Sequence, residues 1–276
     1  MSGTLYLVGT PIGNLSDLSP RAIETLSSAD FIAAEDTRVT LKLLNHFEIH
    51  KPLVSYYEHN KYSSGEKIFQ RILQGENCAL VTDAGMPAIS DPGEDIVKMC
   101  REQNVPVIVV PGPTALISAL VVSGLSTGRF CFEGFLSTSN KSRKEHLESL
   151  RDEVRTMIFY EAPHKLRKTL SDFQEAFGGD RMISLCRELT KLHEESLTMT
   201  IDDAVSYYRD NDPKGEFVLI VDGKPPVSAP VIRPEDALQR ISDLRDQGYS
   251  LKEACRLVAA DSGYSKNELY SMATSN

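Results

Sequence analysis

Residues 78–93 read C-A-L-V-T-D-A-G-M-P-A-I-S-D-P-G (Cys78–Gly93), and the change of character at Thr82 decides the fold class. Ala79–Val81 is an apolar run of strand length. The residues after it concentrate Gly, Pro and Asp, which turn a backbone sharply and let it approach a ligand. Gly93-Glu94-Asp95 then opens a helix with acids at its positive end. Strand, turn-rich loop and helix in succession are the repeating unit of an α/β protein, and the unit recurs on either side. Strands are expected at Thr4–Val8, Phe31–Ala34, Leu53–Tyr56 and Val107–Val110, with amphipathic helices between them. Ser19-Pro20 supplies the N-cap and first position of one helix, and Thr37 can cap another that ends near His46. Strands separated by helices form a parallel sheet, whose ligands bind at the carboxyl ends of the strands.

Further along, the Ser- and Thr-rich stretch Gly134–Ser142 follows what reads as the last strand of this unit, so residues 1–133 form a first α/β domain and 134–142 a linker. A second α/β domain, 143–222, carries strands at Thr156–Tyr160, Met182–Arg187, Leu197–Thr200 and Phe217–Val221, and helices at Lys165–Phe177 and Asp202–Tyr208. Residues 223–234 hold four prolines and read as a semi-rigid tether. Gly-Tyr-Ser occurs at Gly248–Ser250 and again at Gly263–Ser265, each time as a helix-ending Gly followed by an N-capping Ser, which divides residues 235–276 into three short helices. Such a tail resembles a helix-turn-helix module or simply packs on the body.

A chain of 276 residues is long enough for two domains, and 41% hydrophobic with 25% charged residues is ordinary globular composition. The formal charge of -9 argues against coating nucleic acid or an anionic membrane with the whole surface, so a polyanion partner needs a local basic patch. Five cysteines without a C-x-x-C pair read as reduced packing residues. Pro106 and Pro111-Gly112-Pro113 interrupt the long uncharged stretch Asn104–Gly128, so no bilayer span is expected, and the N-terminus lacks a basic secretory leader. A cytoplasmic location follows as an expectation.

The loop Gly9-Thr10-Pro11-Ile12-Gly13-Asn14 lacks the third glycine of G-x-G-x-x-G and the Lys-Ser/Thr of a phosphate-binding P-loop. With Thr82–Gly93 and Pro111-Gly112-Pro113-Thr114 it makes three turn-rich strand ends in one sheet, either a floor for a flat, nucleoside-like cofactor or three structural turns. These residues resemble those of the tetrapyrrole (corrin/porphyrin) methylase superfamily, and in particular its branch that acts on ribosomal RNA. The resemblance is carried in order by L-Y-L-V-G-T-P-I-G-N (Leu5–Asn14), A-A-E-D-T-R (Ala33–Arg38), S-Y-Y-E-H-N (Ser55–Asn60), T-D-A-G-M-P-A-I-S-D-P-G (Thr82–Gly93), P-G-P-T-A (Pro111–Ala115), F-E-G-F-L (Phe132–Leu136), F-Y-E-A-P-H-K (Phe159–Lys165), R-E-L-T-K-L-H-E (Arg187–Glu194) and G-E-F-V (Gly215–Val218). It implies two α/β domains, the first with a parallel and the second with a mixed sheet, and a homodimer. It also implies S-adenosylmethionine bound between the domains and methyl transfer to the ribose 2′-hydroxyl of a cytidine in the decoding region of 16S rRNA. By the same resemblance the cofactor touches Thr10, Pro11, Asp83, Gly85, Met86, Ile89, Thr114, Ala115, Tyr160 and Arg187, Arg38 meets the substrate, and no metal is needed.

A ribose hydroxyl is a poor nucleophile at neutral pH, so a base or desolvation must assist it. Glu161, His164 and Glu35 follow strands and are the candidate proton acceptors; each can equally be a capping or ion-pairing residue. The histidines show no zinc-ligand spacing. Between Ser137 and Lys168 eight Lys and Arg stand against five acids, and Lys141, Arg143 and Lys144 are expected to meet RNA phosphates, unless they only solvate a helix face. Tyr56, Tyr57 or Phe135 can stack on an extruded base. Two competing functions are methylation of a small tetrapyrrole and a non-enzymatic binding or assembly role.

Overall fold

Short apolar strands, the central ones buried on both sides, build the first sheet. The structure is a computed structural model that describes residues 2–225 and 232–274. β1 (Leu5–Val8), β2 (Phe31–Ala34), β3 (Leu53–Ser55), β4 (Cys78–Val81) and β5 (Val107–Val110) pair in parallel in the order β3-β2-β4-β1-β5. β2 and β4 are fully buried runs, as central parallel strands covered by helices must be. α1 (Pro20–Ser28) and α2 (Thr37–His46) cover one face of the sheet; α3 (Lys61–Leu73) and α4 (Glu94–Glu102) cover the other. Ser19 caps α1 by accepting from the Ala22 amide, whereas α2 is capped by Asp36 rather than Thr37. α5 (Ala115–Val122) follows β5.

The second sheet is mixed, in the order β6-β7-β10-β8-β9. Its strands are β6 (Phe130–Phe135), β7 (Thr156–Glu161), β8 (Met182–Arg187), β9 (Glu195–Thr200) and β10 (Phe217–Val221). β6 pairs in parallel with β7. The run expected to close the first domain therefore opens the second, and the expected linker 134–142 contains the end of β6 and the start of α6 (Asn140–Ser149). The physical reason is that a strand's sequence records its period and not the sheet it joins.

Alternation along these strands sorts the side chains onto two faces. Met157, Phe159, Ile183, Leu185, Phe217 and Leu219 point to α7 (Pro163–Phe177) and α8 (Ile201–Asp210), with α6 beyond. On the opposite face Ile158, Cys186, Val218 and Ile220 pack on Leu116, Ala119 and Leu120 of α5, which joins the two sheets.

Residues 225–276 form a separate unit. Its helices α9 (Pro234–Asp246), α10 (Leu251–Ala259) and α11 (Lys266–Thr274) close over Ala237, Ile241, Cys255, Val258 and Leu269. Gly248 and Gly263 take positive φ at the breaks, and Ser250 forms a reciprocal capping box with Glu253. Most of the proline-rich stretch 223–234 lies outside the described residues. Among the described residues no helix is long and apolar enough to cross a membrane.

Candidate active site

A cavity of about 320 Å³ opens where the carboxyl ends of the first sheet meet the α5-facing side of the second. Its floor is the turn after β4. Thr10 is tied to that turn: its amide donates to the Gly85 carbonyl (2.9 Å), the Gly85 amide returns a bond to the Thr10 carbonyl (3.1 Å), and its hydroxyl donates to the Thr82 carbonyl (3.1 Å). Gly85 has φ +91°, a conformation that favours glycine. Gly9 and Gly112 cross so closely that a Cβ on Gly112 would lie 2.8 Å from the Gly9 Cα, so the loops after β1 and β5 touch backbone to backbone. Ala88 and Ser90 hold φ of +66° and +65°, and on the facing domain Glu188 and Thr190 hold +51° and +66°. Strain of this kind, about 1–3 kcal/mol per residue, clusters at ligand sites.

Of the residues expected to hold the cofactor, Asp83, Gly85, Met86, Ile89, Thr114, Ala115 and Tyr160 line this cavity, as does Glu35. Thr10 is buried behind it and supports the floor. Arg187 departs from expectation. It alternates with Cys186, so it falls on the face turned to α7 and α8, where its Nε donates to Glu195 Oε2 (2.7 Å). Glu161 departs for the same reason: Tyr160 faces the cavity, and Glu161 faces α7, accepting from the Ala162 amide (2.9 Å) and the Thr169 hydroxyl. Thr169 in turn accepts from Arg143 (2.7 Å), whose Nε donates to Asp172 Oδ2 (2.6 Å). Glu161 and Arg143 are thus members of one network, and Arg143, 6% exposed, spends its guanidinium on Thr169 and Asp172 where it edges the groove between α6 and α7. His164 is exposed in the first turn of α7 and makes no base–orienter pair with Glu161, whose oxygens are taken.

Lys141 and Lys144 remain on the exposed side of α6, and a groove between α6 and α7 adds Arg151 and Lys168 beside Lys144. Arg38 is exposed and forks onto Asp36 (Nη2–Oδ2 2.6 Å), which holds the Asp36 carboxyl down at about 2. Tyr56, 1% exposed, is a core residue and is not free to stack; Phe135, 59% exposed, stands at the cavity rim with its ring centroid 5.5 Å from that of Tyr160.

Four lining residues, Thr82, Asp91, Glu188 and Glu216, lie within the quoted motifs but are not singled out by the sequence as site groups. The Thr82 hydroxyl donates to Glu35 Oε2 (2.8 Å). Burial, reinforced by the charges of Glu35, Asp83 and Glu216, pushes the Asp91 carboxyl up to about 6, although the nearby Thr82 hydroxyl opposes the shift. Burial likewise raises Asp83 and Tyr160. The one lysine of the lining, Lys191, is paired with Glu188 (3.0 Å). The cavity therefore favours a cation and an aromatic ring, and repels phosphate.

A deep cleft at the switch between two α/β layers, floored by backbone turns, defines a small-molecule-binding enzyme class. The profile of the tetrapyrrole (corrin/porphyrin) methylases matches residues 4–205, and the chain belongs to that family. It is 47% identical over 271 residues to the ribosomal RNA small subunit methyltransferase I of Synechocystis sp., covering 98% of this chain and 97% of that one. It is 46% identical to the protein of the same name from Halalkalibacterium halodurans, over 98% and 94% of the two chains. Uroporphyrin-III-C-methyltransferase from Thermus thermophilus has the same fold, with a TM-score of 0.57, 19% identity and coverage of 80% of this chain and 94% of that one.

Proposed function

We propose that the chain uses S-adenosylmethionine to methylate small-subunit ribosomal RNA at the ribose 2′-hydroxyl of a cytidine in the decoding region of 16S rRNA, as a cytoplasmic homodimer. The observation that carries this reading is end-to-end kinship with relatives named for that RNA, over 98% of the chain. The chemistry of the cleft supports it. A sulfonium and an ammonium suit an acidic cavity, and an adenine suits Tyr160 beside backbone turns, so Asp83, Gly85, Met86, Ile89, Thr114, Ala115 and Tyr160 are the residues to hold the donor, with Thr10 buried behind them and Pro11, half-buried, next to it in the chain. The donor supplies an activated methyl group; the protein supplies alignment and exclusion of water, worth up to about 7–11 kcal/mol of barrier in well-oriented reactions. Lys141 and Lys144 supply a phosphate-tracking charge outside the cleft. Exposed apolar residues support a dimer: the edge strand β5 exposes Ile108 and Val109, and α5 exposes Ile117, Val121 and Val122, Val121 to 69%.

Incubation with methyl-labelled S-adenosylmethionine tests the reading, offering in parallel small ribosomal subunits, free 16S rRNA and uroporphyrinogen. One labelled cytidine ribose in the RNA is the expected outcome. Label on the tetrapyrrole alone would replace this function by the small-molecule one.

A further inference from the structure

Asp91 sits deeper than a turn residue needs to. It belongs to the S-D-P-G end of the loop after β4, lines the cavity with Thr82 and Glu35, and is half-buried. Thr82 has one hydroxyl proton, for which Glu35 and Asp91 compete, and Glu35 Oε2 holds it at 2.8 Å. What Thr82 shares with Asp91 favours the carboxylate, so burial and the neighbouring acids raise the Asp91 carboxyl against it. The loop also reaches the aromatic rim. Gly134, at the irregularity in β6 with φ +64°, would place a Cβ 3.9 Å from Ser90 Oγ, and the next residue is Phe135. Asp91 also lies near enough to Tyr160 for its charge to act on the phenol. An exposed ring for an unstacked base and a poorly solvated carboxylate therefore share one rim of the cleft.

We propose that Asp91 is the proton acceptor for the ribose hydroxyl of a nucleotide stacked on Phe135, with Thr82 and Glu35 positioning it. This rests on the methylation reading above. As the ribose oxygen bonds the methyl carbon, the carbon–sulfur pair returns to sulfur, leaving a neutral thioether. The hydroxyl proton passes to Asp91, converting carboxylate and sulfonium into two uncharged products. A carboxyl held near 6 is mostly ionised at neutral pH and is a stronger base than an ordinary aspartate. Burial sets this value first, and the groups that modify it are Thr82 and Asp83 from its own loop, Glu35 from the end of β2 and Glu216 ahead of β10; Tyr160 from β7 feels the charge of Asp91 in turn.

The test joins a titration to a rate. Carboxyl carbon NMR of the intact protein, assigned by comparison with Asp91→Asn, should show Asp91 titrating near pH 6, and Glu216→Gln should move that midpoint to lower pH. Single-turnover methylation of small subunits should fall with decreasing pH through the same midpoint. At saturating S-adenosylmethionine, Asp91→Asn should lower the plateau rate about 10²–10⁴-fold and abolish the pH limb. If Asp91→Asn proves unfolded, the joint shift of titration and rate limb in Glu216→Gln decides. An Asp91 midpoint near 4, a rate within threefold of wild type, or a limb that ignores Glu216→Gln overturns the assignment. Wild-type protein that methylates no ribose sinks the methylation reading itself, a result distinct from active wild type with an equally active Asp91→Asn.

Discussion

The two faces of the second sheet bury carboxylates, hydroxyls and aromatic rings alike, yet to opposite ends. Toward α7, Glu161, Thr169, Arg143 and Asp172 satisfy one another in a closed chain beside the Phe159–Phe173–Phe177 stack. Toward α5 and the cleft, Tyr160 packs on Phe132 and Phe135, and Asp91 stands half-buried among Glu35, Asp83 and Glu216. Where every donor meets an acceptor the result is rigidity; where like charges crowd a partly dry cavity, a pKa moves and a ligand is called for.

Removing one member of the closed network should be the costliest change. Arg143→Ala removes the cation that ties Thr169 to Asp172 and leaves Asp172 with Lys168 alone; it should cost about 1.5–3 kcal/mol of unfolding free energy in urea titrations, with cofactor affinity of the folded protein unchanged. A cost under about 0.5 kcal/mol, the level of an ordinary surface substitution, would make Arg143 the RNA ligand that its neighbours in the sequence suggest.

The cleft face should respond in the opposite sense. The Asp91 carboxyl is raised from 3.8 to about 6 by burial, so the folded protein holds that proton more tightly than the unfolded chain. The associated stability is full below about pH 4 and declines as pH rises through 6. Asp91→Asn carries no such decline. Relative to wild type it should gain about 1 kcal/mol between pH 4 and pH 7, a figure discounted for the residue's partial exposure, as read from thermal melts at the two pH values. A flat difference would mean that the cleft is as wet as the surface.

The smallest effect belongs outside both faces. Lys141→Ala with Lys144→Ala should leave melting and cofactor binding alone and lower the log–log salt slope of rRNA binding by about 0.7–0.9 for each phosphate no longer neutralised. An unchanged slope would reduce these lysines to a solvated helix face, in keeping with the long 3.9 Å reach from Lys141 to Glu145.

What is readable in the sequence divides along the same line. β2, β5, β8 and β10 lie where their β-branched and apolar runs put them, and the glycine- and proline-rich strand ends do converge on one cavity. Local chemistry dictates both. The faces are not readable in this way. Tyr160 and Glu161 have to point apart, but nothing local says which of them meets the cleft. Arg143 looks like its neighbours in Lys141-Ser142-Arg143-Lys144 until α7 brings Asp172 beside it from 29 residues away. Asp91 reads in its loop as one more turn former, because its unusual basicity arises from burial, reinforced by Glu35 and Glu216, which only the fold brings about.

Calorimetric titration of S-adenosylmethionine into wild type, Tyr160→Ala and Arg187→Ala tests most directly that the cleft face and not its reverse holds the donor. Tyr160→Ala should weaken binding at least about tenfold, 1.4 kcal/mol, while Arg187→Ala, which disturbs only its pairing with Glu195, should bind as wild type does. Abolished binding in Arg187→Ala with Tyr160→Ala unaffected would contradict it and move the site to the other side of the sheet.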